Sequence, residues 1–136
     1  MNPTHHKIMV VDNDHEWVQS MTGYLRRCGF RVASLRSPLL ILEKVLAEAP
    51  SLILLDLMAP RREGLKVCRI LSQNYAAQYI PIIMATPKGD ESDKIVALEL
   101  GVDDYVNKPL NLHELSLRIE RSLDRAAARA KVASRG

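Results

Sequence analysis

The chain alternates five times between short apolar runs and longer stretches of helical periodicity. Ile8–Val11 and Leu52–Leu55 are uninterrupted apolar runs of strand length, the pattern of strands covered on both faces. Phe30–Leu35 reads as a weaker second strand, Pro81–Ala85 as a fourth and Tyr105–Asn107 as a short fifth. Asp14 is placed to cap a first helix that buries Trp17, Met21, Leu25 and Cys28 and stops at Gly29. Ser37 and Pro38 fit the N-cap and first position of a second helix, which ends at Ala49 before Pro50. Gly64 precedes a third helix through Leu65, Cys68 and Leu71, followed by the polar stretch 72–78. A fourth runs from about Glu91 to Leu100 and halts at Gly101; Asn111 caps a fifth from Leu112 to at least Leu123. The order βαβαβαβαβα predicts an α/β domain, a five-stranded parallel sheet with helices on both faces.

With 136 residues the chain suits a single domain. It contains no apolar stretch of the roughly 20 residues needed to cross a membrane. Met1–Lys7 lacks the apolar centre of a signal peptide, so the cytoplasm is the expected compartment. Cys28 and Cys68 lie in helical patterns, outside any metal-spaced pair, and are expected as free thiols. The net charge of +3 is uneven: residues 118–136 sum to +4 and the rest to −1. The basicity therefore belongs to a tail, weak grounds for a nucleic-acid surface. Residues 1–124 read as the domain, and 125–136 as a helix extension or the start of a linker.

The candidate chemistry lies at the strand ends. Asp56 follows the third apolar run, and open α/β sheets build their sites at the C-terminal mouth of the strands. Asp12, Asn13 and Asp14 leave the first strand, Thr86 the fourth and Lys108 the fifth. Carboxylates crowded at one mouth repel unless a cation compensates them, and a hard ion such as Mg2+ suits such a pocket. Lys108 can pair with Asp56 or hold a phosphoryl oxygen, and the Thr86 hydroxyl can donate to an anion. The plain alternatives are a helix cap for Asp14, a turn cap for Thr86 and a surface lysine for Lys108.

At these residues the chain resembles the receiver domain of two-component response regulators. The resemblance is carried by residues 8–12, 54–60, Gly64, 82–86 and 103–109, and extends over roughly residues 6–124. It implies a (βα)5 flavodoxin-like fold with strand order 2-1-3-4-5, and a signalling switch rather than an enzyme. Asp56 would accept a phosphoryl group from a sensor histidine kinase or phosphotransfer protein. Asp12, Asn13, Asp56 and the Met58 carbonyl would hold Mg2+; Thr86 and Tyr105 would move on phosphorylation; and Lys108 would bind a phosphoryl oxygen. Lys94, Asp103, Asp104, Glu114, Arg118 and Arg125 resemble the cross-subunit pairs of receivers joined to winged-helix DNA-binding domains. That implies a homodimer through the face of the fourth helix, fifth strand and fifth helix. No DNA-binding module is recognisable in the chain, and its basic tail fits a linker to an effector.

Three positions depart from the family pattern. Asn13 stands where a second Asp is usual, which predicts a weakened Mg2+ site. Pro87 follows the switch threonine and predicts a stiffer loop. Met58 offers nothing to orient an attacking water, which predicts a long-lived phosphoryl group. Two other functions compete. A receiver-like interaction module that has lost phosphorylation is motivated by Asn13. A haloacid-dehalogenase-type phosphatase is motivated by the Asp-x-Asp spacing of Asp12 and Asp14, though Glu16 and the unexplained Asp56 count against it.

Overall fold

A computed structural model describes residues 5–135, so the outermost ends of the two predicted segments, 1–4 and 136, lie outside the described residues. The elements alternate as expected: β1 (Lys7–Val11), α1 (His15–Arg27), β2 (Arg31–Leu35), α2 (Ile41–Glu48), β3 (Leu52–Leu55), α3 (Glu63–Ser72), β4 (Ile82–Pro87), α4 (Glu91–Glu99), β5 (Asp104–Lys108) and α5 (Leu112–Arg135). All pairings are parallel, in the order β2-β1-β3-β4-β5. The chain direction across the sheet reverses between β1 and β3, which makes their C-terminal ends the switch point where such sheets hold ligands.

Strand side chains alternate between faces with period two, so each apolar run feeds two cores. Met9, Val11, Ile53, Leu55, Ile82 and Met84 pack with Ile41 and Val45 of α2, Val67 and Leu71 of α3 and Ala97 of α4. Ile8, Val10, Leu52, Leu54, Ile83 and Ala85 pack on the other side with Met21 and Leu25 of α1 and Leu115, Ile119 and Leu123 of α5. The sheet is thereby enclosed, and the strand mouths are held by two independent packed layers.

Several element edges differ from the sequence reading. The buried stripe of α1 is Val18, Met21 and Leu25; Trp17 and Cys28 are only half-buried at its margin. α2 starts at Ile41, three residues late. Ser37 Oγ accepts from the Leu39 N–H at 3.1 Å, closing a local turn, and Leu40 takes a left-handed φ of 57°. The helix therefore begins where Ile41 and Val45 can enter the core. Gly64 is the second residue of α3, inside the helix. α5 continues through the Ala/Arg-rich tail as a 24-residue helix, about 36 Å long. Asp103 anchors that extension, with Arg125 Nε at 3.8 Å and Arg129 Nη2 at 3.5 Å. Asp14 and Asn111 cap α1 and α5 as expected, accepting from the N–H groups of Trp17 and Glu114.

Candidate functional site

The ladder delivers the polar strand ends to one place. Asp12 donates its N–H to the Leu35 carbonyl at 3.0 Å, and Asp56 donates to Val11 at 2.9 Å, so the two acids leave adjacent strands side by side. Thr86 and Lys108 arrive on β4 and β5, where Thr86 pairs with Asn107 and Pro87 with Lys108. Asp12, Asp56 and Thr86 are all buried, at 1%, 7% and 3% exposure; the other buried polar side chains among the described residues are Asp93 and Ser122. A cleft of about 540 Å3 opens above them, bordered also by Asn13, Arg62, Asp93 and Lys108.

The Lys108 ammonium occupies the centre of this arrangement. It lies 2.6 Å from Asp12 Oδ2 and 3.3 Å from Asp56 Oδ1, and 3.8 Å from the centroid of the Trp17 ring. The other oxygen of each acid is fixed by backbone. Asp12 Oδ1 accepts from the Asp14 N–H at 2.9 Å, and Asp56 Oδ2 accepts from the Met58 N–H at 2.7 Å. The two oxygens of Asp56 are thus inequivalent: one is held by the loop, and the other faces the cleft and the lysine. A carboxylate presented this way is an oriented nucleophile.

Charge is not balanced here. Burial raises the Asp12 pKa above its ordinary value and the neighbouring Asp56 charge adds to the effect, although Lys108 and the Asp14 N–H pull it down. One ammonium therefore compensates two buried carboxylates incompletely. Hard oxygen donors with a residual negative charge fit a hydrated divalent cation. Among the described residues no group of three or more His, Cys, Asp or Glu converges. The third candidate donor is the amide oxygen of Asn13, an exposed residue on the cleft wall.

Met58 sits otherwise than its position suggests. Its side chain is buried in the core under α3 and does not border the cleft, which is lined instead by Leu57 and Ala59. Its φ of 60° is left-handed, a conformation that costs a non-glycine residue of order 1 kcal/mol. The Met58 N–H bond to Asp56 and an Arg62 N–H bond to the Met58 carbonyl, at 3.0 Å, hold it there.

Tyr105 is half-buried on β5 between the site and α4; burial, then the charges of Asp93, Asp56 and Glu91, push its phenol pKa up. The predicted dimer-face charges form pairs within one chain: Arg118 with Asp104 at 2.7 Å and Glu114 at 2.8 Å, and Arg125 with Asp103. Lys94 has no ion pair among the described residues. Asp14 caps α1, accepting from the Trp17 N–H, and borders the same cleft as Asp12, to whose Oδ1 it donates its own N–H. Three residues had gone unnoticed in the sequence as parts of the site. Trp17, expected in the core of α1, lies under the Lys108 ammonium, and Arg62 and Asp93, which no sequence pattern singles out, meet on the cleft wall only in the folded chain.

No helix among the described residues is long and apolar enough to cross a membrane. The chain matches the response regulator receiver domain over residues 8–120. It is 37% identical over 126 residues to the transcriptional regulatory protein GltR of Pseudomonas aeruginosa, covering 93% of this chain and 52% of that protein. It is 38% identical over 120 residues to the alkaline phosphatase synthesis transcriptional regulatory protein PhoP of Bacillus subtilis, covering 88% and 49%. The chain thus spans about half the length of these curated relatives. A solved response regulator of Chloroflexus aurantiacus superposes with a TM-score of 0.81 at 29% identity, covering 88% of this chain and 98% of that one. Fold, strand-end chemistry and relatives coincide: the chain belongs to the response regulator receiver domains, the phosphorylation-dependent switches of two-component signalling.

Proposed function

We propose that Asp56 is the phosphoacceptor of this receiver, charged by the phosphohistidine of a sensor kinase or phosphotransfer protein in the cytoplasm. The observation that carries this reading is Lys108, whose ammonium touches both buried acids while Asp56 Oδ1 faces the cleft. Asp56 Oδ1 attacks phosphorus, the P–N bond of the donor breaks, and its electron pair leaves with the imidazole. Asp12, Asn13, Asp56 and the Met58 carbonyl would hold Mg2+, which when bound would add screening of the phosphoryl charge. Lys108 exchanges its carboxylate contacts for a phosphoryl oxygen, and the Thr86 hydroxyl donates to another. Tyr105 follows into the space beside β4, so that a local charge becomes a change of the α4-β5-α5 face.

We further propose that this face forms a two-fold dimer, with Lys94, Asp103, Asp104, Glu114, Arg118 and Arg125 exchanging intrachain pairs for interchain ones. The exposed Ile95, Leu98 and Leu117 on α4 and α5 support it, since they supply apolar area that charges alone lack. Control of an effector, such as the DNA-binding part of a transcriptional regulator, is the output this face fits. Residues 125–135, the end of α5, act as the helical start of the connection to it.

The test is incubation with acetyl phosphate and Mg2+, read by mass spectrometry. One phosphoryl group per chain, absent in Asp56→Asn and slow to decay after the donor is removed, is the expected result. Continuous turnover of a phosphomonoester would point instead to a phosphatase, and no labelling at all to an interaction module.

A further inference from the structure

An ion pair at the edge of the cleft is separate from the Asp12–Asp56–Lys108 centre. Arg62, at the start of α3, places Nε 2.7 Å from Asp93 Oδ1 in the first turn of α4. Both residues line the cleft that contains Asp56 and Thr86. The two partners are unequal: the Asp93 side chain is 11% exposed and that of Arg62 51%. Asp93 therefore depends on Arg62 for compensation, whereas Arg62 can leave toward another anion at little desolvation cost.

We propose that Arg62 is a second phosphoryl-binding cation, held in reserve by Asp93, and that its transfer from Asp93 to phosphorylated Asp56 couples the site to α4. The inference rests on the phosphoacceptor reading above. Phosphorylation replaces one carboxylate charge by about two negative charges and three strong acceptors. A guanidinium is the side chain best shaped to take two phosphoryl oxygens at once. Lys108 is already committed within the site, and Lys88 on the same wall is exposed and carries no ion pair among the described residues; Arg62 is the cleft cation whose partner belongs to α4, so its movement alone is coupled to that helix. Once Arg62 departs, Asp93 is a nearly buried carboxylate without a partner, which is unfavourable until it reaches water. The first turn of α4, capped by Asp90 through the Ser92 N–H, must shift to allow that. Tyr105 lies close enough to feel both Asp93 and Asp56, so it stands between the two ends of the exchange.

The measurement is affinity for beryllofluoride, with Mg2+ present, in the wild-type chain, Arg62→Gln, Arg62→Lys and Asp93→Asn. Fluorescence of Trp17, the single tryptophan, reports binding, and fluorine NMR checks it. Arg62→Gln should bind about tenfold more weakly, the scale of one charge-assisted contact, with Arg62→Lys in between. Asp93→Asn should bind about threefold to tenfold more tightly, because the competitor for Arg62 is gone. Opposite signs are the signature, since a pair that merely braces α3 against α4 would weaken binding in both variants. Weakening in both, or no change in either, overturns the proposal. If the wild-type chain takes up no beryllofluoride, or Asp56→Asn takes it up equally, the phosphoacceptor reading fails first and this inference with it.

Discussion

Gly64→Ala isolates the contact that aims Asp56. A β-carbon at position 64 would lie 2.3 Å from the Asp56 carbonyl oxygen, 2.8 Å from Leu57 Cα and 3.0 Å from the Leu57 carbonyl oxygen. The first of these is roughly 1 Å inside normal contact, and every atom it meets is backbone. No rotamer can relieve it, so α3 must move away from the β3 end. Overpacking of this kind costs about 2–3 kcal/mol. The Gly64 N–H bond to the Leu57 carbonyl, 2.8 Å long, is disturbed with it and adds about 1 kcal/mol. The better helix propensity of Ala returns about 1 kcal/mol. The net is about 2–3 kcal/mol, or roughly 10 °C in Tm for a domain of this size. Because the displaced backbone is that of Asp56 itself, labelling by acetyl phosphate should slow by up to about 100-fold. Gly23→Ala in α1 is the control. Its β-carbon meets only Arg27 Nη1 at 3.3 Å, the far end of a flexible side chain, so Tm should rise by a few degrees, about 0.5–1 kcal/mol. Both variants are compared by thermal melting followed by circular dichroism and by mass-spectrometric labelling. A Gly64→Ala protein melting within about 2 °C of wild type and labelling normally would refute the argument.

Asn13→Asp restores a negative charge at the cleft wall and should lower the half-saturating Mg2+ concentration by about tenfold, read from Trp17 fluorescence; an unchanged midpoint would show that Asn13 does not set the metal affinity. Burial pushes the Cys68 thiol up to about 12 from an ordinary value near 9.0. Folding therefore opposes its ionisation, and the associated stability is complete below about pH 9 and lost as pH rises toward 12. At pH 8 a disulfide reagent should modify half-buried Cys28 readily and Cys68 only on unfolding; two thiols reacting at one fast rate in the native protein would contradict the core placement.

Much of this molecule was legible in the order of its residues. Apolar runs such as Leu52–Leu55 can be satisfied only by cover on both faces, so the parallel sheet and its alternation with helices follow from periodicity. Polar residues at the ends of such runs are costly unless used together, which singled out Asp12, Asp56, Thr86 and Lys108 before any geometry was known. Local chemistry misled where tertiary burial outvoted it. Ser37 closes a turn because Ile41 and Val45 decide where α2 begins, and Met58 turns into the core because its loop is held left-handed by Asp56 and Arg62. Contacts between distant residues were out of reach altogether. The Trp17 ring over Lys108 and the Arg62–Asp93 pair join elements far apart in sequence, and no spacing rule connects them. Sequence pattern is a record of which positions avoid water, so it determined the sheet and its reactive mouth. Which charge faces which depends on packing angles between whole elements, and that only the tertiary structure decided.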